Sequence, residues 1–227
     1  FVQVDEDTRI NVKLKSGHET EINAPGPKVT HAQFEQLLSQ IRRTTNDDIV
    51  IVAGSVPNSI PSDAYAQIAQ ITEKTGAQLV VDAEKDLVET VLPYRPLFIK
   101  PNKDELEVMF NTTVKSDEDV IKYGKEILKK GAQSVIISLG GDGAIYVDQH
   151  QSIKAVNPQG HVVNTVGSGD STVAGMVAGL SMGLNVDEAF QQAVASGTAT
   201  AFSEDLATRD AIENIKSQVT ISVLDGE

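Results

Sequence analysis

The stretch "DIVIVAGSVPNSIPSDAYAQIAQITEKTGAQLVVDA", Asp48 to Ala83, decides the fold class. Two short apolar runs, "DIVIVAGS" (48–55) and "AQLVVDA" (77–83), flank a segment from Ser62 to Gly76 in which Tyr65, Ile68, Ala69 and Thr72 recur at helical spacing. Nearly unbroken apolar runs are expected of strands covered on both faces of a parallel sheet, and Gly76 is a helix stop. The stretch therefore reads as a β-α-β unit. Further along, "LFIKPN" (97–102) and "QSVIISLGG" (133–141) extend the sheet. Thr30-His31-Ala32-Gln33 has the form of a capping box opening a helix whose Phe34, Leu37, Leu38 and Ile41 share a face. Ser116-Asp117-Glu118-Asp119 starts another helix, which runs toward Gly131. The class is α/β.

Two regions break this alternation. Residues 8–22, "TRINVKLKSGHETEI", alternate as a two-stranded hairpin with a turn at Ser16-Gly17 and stand off the main sheet. They predict a β lid within residues 1–24, with the α/β domain over 25–227. After Asp170 the chain turns helical in "STVAGMVAGLSMG" and "VDEAFQQAVASGTATAF", whose Ala and Gly permit close packing, and "QVTISVL" (218–224) reads as a last strand.

Composition excludes several classes of function. A net charge of −13 opposes binding to nucleic acid or to an anionic membrane, and no clustered Lys and Arg offset it. No apolar run is long enough to span a bilayer, and the first residues lack the pattern of a signal peptide, which predicts a cytoplasmic protein. Without cysteine there is no disulfide, no thiolate nucleophile and no cysteine-bound zinc, and His18, His31, His150 and His161 show no ligand spacing. If the ligand is a phosphate, local cations, backbone amides and Mg²⁺ must overcome the repulsion of the whole chain.

The strongest chemical signal is "NTVGSGDSTVAG" (164–175). Small residues let the backbone of Gly167, Ser168 and Gly169 approach an anion, and the helix that follows presents unpaired N–H groups and the positive end of its dipole. Phosphoryl transfer needs such a cradle, and Asp170 beside it could take the proton of an attacking alcohol. The plain alternative is that Asp170 merely caps the helix. In "KPNKDELE" (100–107), Asn102 and Glu105 share a helical face at i, i+3, or else form an ordinary cap. The glycines of "SLGGDG" (138–143) make a turn that is not a phosphate-binding Walker sequence and could close a hairpin. Arg9 could equally be a solvated arginine on an exposed strand.

These motifs, in this order, resemble those of the PfkB carbohydrate kinases, also called the ribokinase-like family. The resemblance implies a three-layer sandwich around a mostly parallel sheet, with a small β lid. It implies Asp170 as catalytic base, Gly167, Ser168 and Gly169 as anion hole, and Asn102 and Glu105 near Mg²⁺ and the nucleotide phosphates. It assigns Ser138, Gly140 and Gly143 to ATP. "TRINVKL" and "AGSVP" are similar to the segments that meet the sugar phosphate in the phosphofructokinase branch, which assigns Arg9, Gly54 and Ser55 to the substrate. The implied reaction is ATP-dependent phosphorylation of fructose 1-phosphate at its 6-hydroxyl, with tagatose 6-phosphate or fructose 6-phosphate as alternatives. A homodimer formed through the lid strands and a bound monovalent cation are also implied. A non-catalytic sugar-phosphate or nucleotide sensor on the same fold is the alternative of another class. The family's "NPxxD" and "GGKG" elements do not occur, so the chain is expected to lack an N-terminal portion. Ser203-Glu204-Asp205 stands where the family often places an Asn beside the adenine.

Overall fold

The computed structural model describes residues 1–16 and 18–226. Strands β1 (Asn11–Ser16) and β2 (His18–Asn23) pair antiparallel, with Val12 opposite Ile22, in a two-stranded sheet separate from the main one. Half of the expected turn, Gly17, lies outside the described residues. Val12, Leu14 and Ile22 are exposed.

The main sheet has seven strands in sequence order: β3 (Ile49–Ala53), β4 (Gln78–Asp82), β5 (Phe98–Ile99), β6 (Val135–Ser138), β7 (Ala144–Val147), β8 (Gln151–Val156) and β9 (Thr220–Gly226). The pairings from β3 to β6 are parallel and those from β6 to β9 antiparallel, so only β7 and β9 run against the others. The β-α-β reading of 48–83 is borne out by β3, helix α2 (Ala64–Thr75) and β4, with Gly76 as the left-handed stop at φ 81°.

Period-two alternation divides the strand residues between two cores. Leu79, Val81, Ile99, Val135 and Ile137 face one way, packed by α1 (His31–Ile41), α2, α3 (Lys85–Val91), α4 (Lys103–Phe110) and α5 (Asp117–Lys130). Val80, Phe98, Ile136 and Tyr146 face the other, against α6 (Ser168–Ser181), α7 (Val186–Ala201) and α8 (Arg209–Lys216). The result is three layers, as the resemblance implies.

Local expectations fare unevenly. Thr30 and Gln33 do form a capping box, and Ser116 caps α5, which stops at Gly131. On α1 the buried stripe is Phe34, Leu38 and Ile41, whereas Leu37 is 37% exposed at its margin. The strand expected over 97–102 shrinks to Phe98–Ile99, between Pro96 and Pro101, neither of which has an N–H for a ladder. The antiparallel hairpin of β7 and β8 and the short helices α3 and α8 were not anticipated.

Glycines bring α6 and α7 close together. A Cβ at Gly175 would lie 2.9 Å from both the Ala193 Cα and the Gln192 carbonyl oxygen, and 2.6 Å from the Ser196 hydroxyl. Overpacking of a core costs about 1–3 kcal/mol, whereas replacing a mid-helix glycine by alanine gains about 1 kcal/mol in helix propensity. Two of the three obstructing atoms are backbone and cannot swing aside, so overpacking wins. Gly175→Ala is expected to lower stability by about 1–2 kcal/mol, read as a lower urea midpoint with an unchanged slope. A midpoint at or above that of the parent would show that the two helices can separate freely.

Candidate active site

Because β3, β4, β5 and β6 are parallel, their C-terminal ends emerge along one edge of the sheet, where ligands of open α/β sheets bind. Most of the residues singled out in the sequence gather there. Gly54 directly follows β3, Asp82 ends β4, Lys100 follows β5 and Ser138 ends β6. Asn102 pairs with Ser138 in a parallel bridge.

Gly54 has φ +84°, and a Cβ there would meet nothing within 4 Å, so the glycine is required by its backbone conformation rather than by crowding. Its N–H donates to the Asp82 carbonyl at 3.0 Å, and its own carbonyl accepts from the Tyr65 hydroxyl at 2.7 Å. Burial first, then the charge of Asp82, pushes Tyr65 up to about 12, which keeps this hydroxyl a donor. Ser55, next in the chain, accepts a short hydrogen bond from the Arg9 guanidinium, whose Nε also donates to Asn11 Oδ1 at 2.7 Å. Arg9 and Ser55, 46 positions apart, are thus in contact.

The loop 164–167 leads into α6 through Gly167, the N-cap, at φ 79°. Gly167 takes the cap position without any side-chain hydrogen bond, so Asp170, in the first turn, does not cap the helix. Asp170 is exposed, and among the described residues no hydrogen bond or ion pair engages its carboxylate. The Ser168 N–H turns back to the Thr165 carbonyl at 3.2 Å, while those of Gly169 and Asp170 have no acceptor among the described residues. The Ser168 hydroxyl is buried with no partner among the described residues. Among the described residues the free amides here are therefore those of Gly167, Gly169 and Asp170 rather than that of Ser168.

Beneath this turn lies a feature that the sequence reading missed. Lys100 and Asp82 form an ion pair at 3.2 Å, with side chains 7% and 17% exposed. A Cβ at Gly169 would sit 3.4 Å from Lys100 Nζ, so the ammonium lies directly under the first turn of α6. Burial raises the Asp82 carboxyl above its ordinary value, the Lys100 charge and hydrogen bond pull it back, and the Asp170 charge adds to the rise. A buried cation beside free amides and an unengaged carboxylate suits a transferring phosphoryl group.

Asn102 and Glu105 share a capping box at the start of α4: Glu105 N–H donates to Asn102 Oδ1 at 2.8 Å, and Asn102 N–H donates to Glu105 Oε2 at 2.7 Å. The plain cap reading is thus correct as far as it goes. It leaves Glu105 Oε1 uncommitted, and no group of three or more His, Cys, Asp or Glu suited to a metal occurs among the described residues. That donor set does not form a protein cage, but it fits Mg²⁺, which keeps waters and binds through one or two carboxylates plus substrate phosphates.

Next to Asn102 opens a cavity of about 720 Å³, walled by the turn Gly140–Gly143, by Asn157 to Gly160, by Ser168 and Gly169, and by the face of α7 from Val194 to Phe202. "SLGGDG" closes the β6–β7 hairpin, and its Gly140 and Gly143 line this cavity. Gly143, at φ +92°, could carry no Cβ, which would fall 1.9 Å from the Ala155 carbonyl oxygen. The Phe202 ring covers Gly160 on the far side. Of the segment flagged beside the adenine, the Glu204 carbonyl accepts from Asn164 Nδ2 at 3.3 Å. No described helix is long and apolar enough to cross a membrane.

The family model described as pfkB family carbohydrate kinase matches residues 1–211. The chain belongs to this family. As a pfkB carbohydrate kinase it is 42% identical over 224 residues to the 1-phosphofructokinase of Bacillus subtilis, covering 99% of this chain and 74% of the relative. It is 35% identical to the D-tagatose-1-phosphate kinase of Bacillus licheniformis, again covering 99% and 74%. Among solved structures, a Staphylococcus aureus protein is 81% identical with a TM-score of 0.91, covering 100% of this chain and 74% of that one. Escherichia coli phosphofructokinase-2, solved with substrates and products, is 28% identical with a TM-score of 0.83, covering 89% and 67%.

The Asp82–Lys100 pair gives this kinase a specific pH response. An acid held above its ordinary value, here 3.8, costs stability as pH rises from that value through the raised one, because the unfolded chain releases the proton first. Lys100→Met removes both influences that lower Asp82 and leaves burial and Asp170, which raise it. The variant's urea midpoint is expected to fall further behind the parent as pH climbs from about 4 to about 7. Parallel pH profiles for the two proteins would show that Lys100 does not stabilise the ionised Asp82.

Proposed function

We propose that this kinase transfers the γ-phosphoryl group of ATP to the 6-hydroxyl of fructose 1-phosphate, giving fructose 1,6-bisphosphate. The observation that carries the mechanism is the unengaged Asp170 carboxylate beside the free amides of Gly167, Gly169 and Asp170, with the Lys100 ammonium beneath them. The choice of sugar rests on the 42% identity to a 1-phosphofructokinase.

In this reading Asp170 accepts the proton of the 6-hydroxyl as its oxygen attacks phosphorus, and the bond from phosphorus to the β,γ-bridging oxygen breaks, releasing ADP. The Gly167–Gly169 backbone, with the amides of Gly169 and Asp170 foremost, faces the equatorial oxygens, where charge must be stabilised. Lys100 adds a positive charge from below. Glu105 and Asn102 hold Mg²⁺, which when bound neutralises phosphate charge. Ser138, Gly140 and Gly143 border the nucleotide. Arg9, with Ser55 and Gly54 beside it, grips the sugar's existing phosphate, a task that suits the guanidinium fork. A sensor without catalysis has less support, because an unengaged carboxylate and free amides stand together at the start of α6.

Two variants separate the two ends of the site. Asp170→Asn should bind ATP normally yet lose several orders of magnitude in kcat, since it removes the proton acceptor at constant shape. Arg9→Ala should raise KM for the sugar phosphate, by about tenfold or more, without a matching change for ATP. Near-normal turnover of the first variant, or equal KM changes in the second, would remove the residue from its role. The substrate itself is decided by coupled assays on three sugars. The expected order places kcat/KM for fructose 1-phosphate above those for fructose 6-phosphate and tagatose 6-phosphate. A clear preference for tagatose 6-phosphate would overturn the assignment of the sugar and leave that of the kinase standing.

A further inference from the structure

Asn157 follows β8 and lies between two walls of the cavity. Its Nδ2 donates to the Gly140 carbonyl at 3.0 Å, and its Oδ1 accepts from the Thr198 hydroxyl of α7 at 2.9 Å. The orientation of the amide is fixed by its partners, because a carbonyl oxygen can only accept. We propose that Asn157 is a positioning residue of the nucleotide cavity, a clamp that sets the distance between the 140–143 turn and α7 before nucleotide arrives. This rests on the reading of the cavity as the nucleotide site.

The turn needs such a clamp. Gly140, at φ +60°, and Gly141 have nothing within 4 Å of where a Cβ would lie, so no packing restrains their outer surface. At its other end the turn is held by Gly143, pressed against the Ala155 carbonyl. Asn157, two residues beyond Ala155, secures the loose end. On the opposite wall, Thr198 shares its one hydroxyl hydrogen between Asn157 Oδ1 and the Val194 carbonyl, 2.8 Å away, and is itself buried. Without the clamp, the ordering of two flexible glycines falls on the binding step and opposes it. The amides, carboxylate and ammonium of phosphoryl transfer lie at the start of α6, outside this linkage, so the effect belongs to nucleotide affinity.

The test measures ATP binding by calorimetry and KM for both substrates on the whole protein. Asn157→Ala is expected to weaken ATP about tenfold, the order of one net hydrogen bond, and to leave KM for the sugar phosphate unchanged. Asn157→Asp should be worse, since a carboxylate cannot donate to Gly140 and opposes the incoming phosphates. Thr198→Val, which keeps the side chain's volume, should weaken ATP by a smaller factor in the parent and add little in Asn157→Ala, because the shared linkage is already gone. Parental ATP affinity in Asn157→Ala and Thr198→Val would overturn the proposal. So would additive effects of the two substitutions, or equal rises in both KM values, which mark a general loss of structure. Failure of the parent to bind ATP would strike the kinase reading itself, and the clamp with it.

Discussion

The arrangement of the site depends on one buried ion pair. Asp82 and Lys100 end neighbouring parallel strands, and a carboxylate so buried is tolerable only with a cation against it. Asp82 uses both its parts: its backbone carbonyl holds the Gly54 turn, while its side chain holds the ammonium under α6. The contact between Arg9 and Ser55 then ties the first strand's loop to the same turn. A single acidic residue thus links the end of the cleft that carries a guanidinium to the end that carries the free amides of α6. An isolated pair of this kind contributes little to net stability. Its value lies in fixing a charge in place.

The capping box of α4 serves two purposes with the same atoms. Asn102 and Glu105 satisfy one another's backbone N–H groups, which holds both side chains still at the edge of the cavity. One oxygen of Glu105 remains for chemistry. Reading the segment as either a cap or a phosphate-side element sets up a choice that the molecule does not make: the hydrogen bonds that start the helix also orient the carboxylate.

Much of this was legible in the sequence because it repeats with a period or obeys a local rule. The apolar runs of β4 and β6 marked buried strands, whereas that of β3, read the same way, is an edge strand with Ile51 46% exposed; Gly76 and Gly131 marked helix ends, and the small residues before Asp170 marked a close backbone approach. What escaped had no local signature. Lys100 looks like the polar end of a strand, and Asp82 like an ordinary strand terminus; only the pairing of β4 with β5 brings them together. Asn157 is likewise a loop residue until the fold sets it between Gly140 and Thr198. The β7–β8 hairpin was overlooked because the turn between its strands, Asp148 to His150, contains no glycine or proline to mark it. Ser168, read from motif position as part of the hole, turns its N–H to Thr165, a bond set by the tight turn at Gly167 rather than by residue type.

The closeness of α6 and α7 also determines how the cleft can deform. A Cβ at Gly197 would lie 2.9 Å from the Ser168 carbonyl and 2.2 Å from the Thr172 hydroxyl, and one at Gly175 2.9 Å from the Ala193 Cα, so the wall of the cavity lies hard against α6, in part backbone to backbone. Backbone against backbone has almost no slack: at such contacts a push on one helix is a displacement of the other. The α7 wall and the first turn of α6 therefore form a single stiff body. Compliance is left to the opposite wall, the glycine turn, which is joined to α7 through the Asn157 side chain rather than through backbone contact. The cleft has one jaw that is rigid and one that yields.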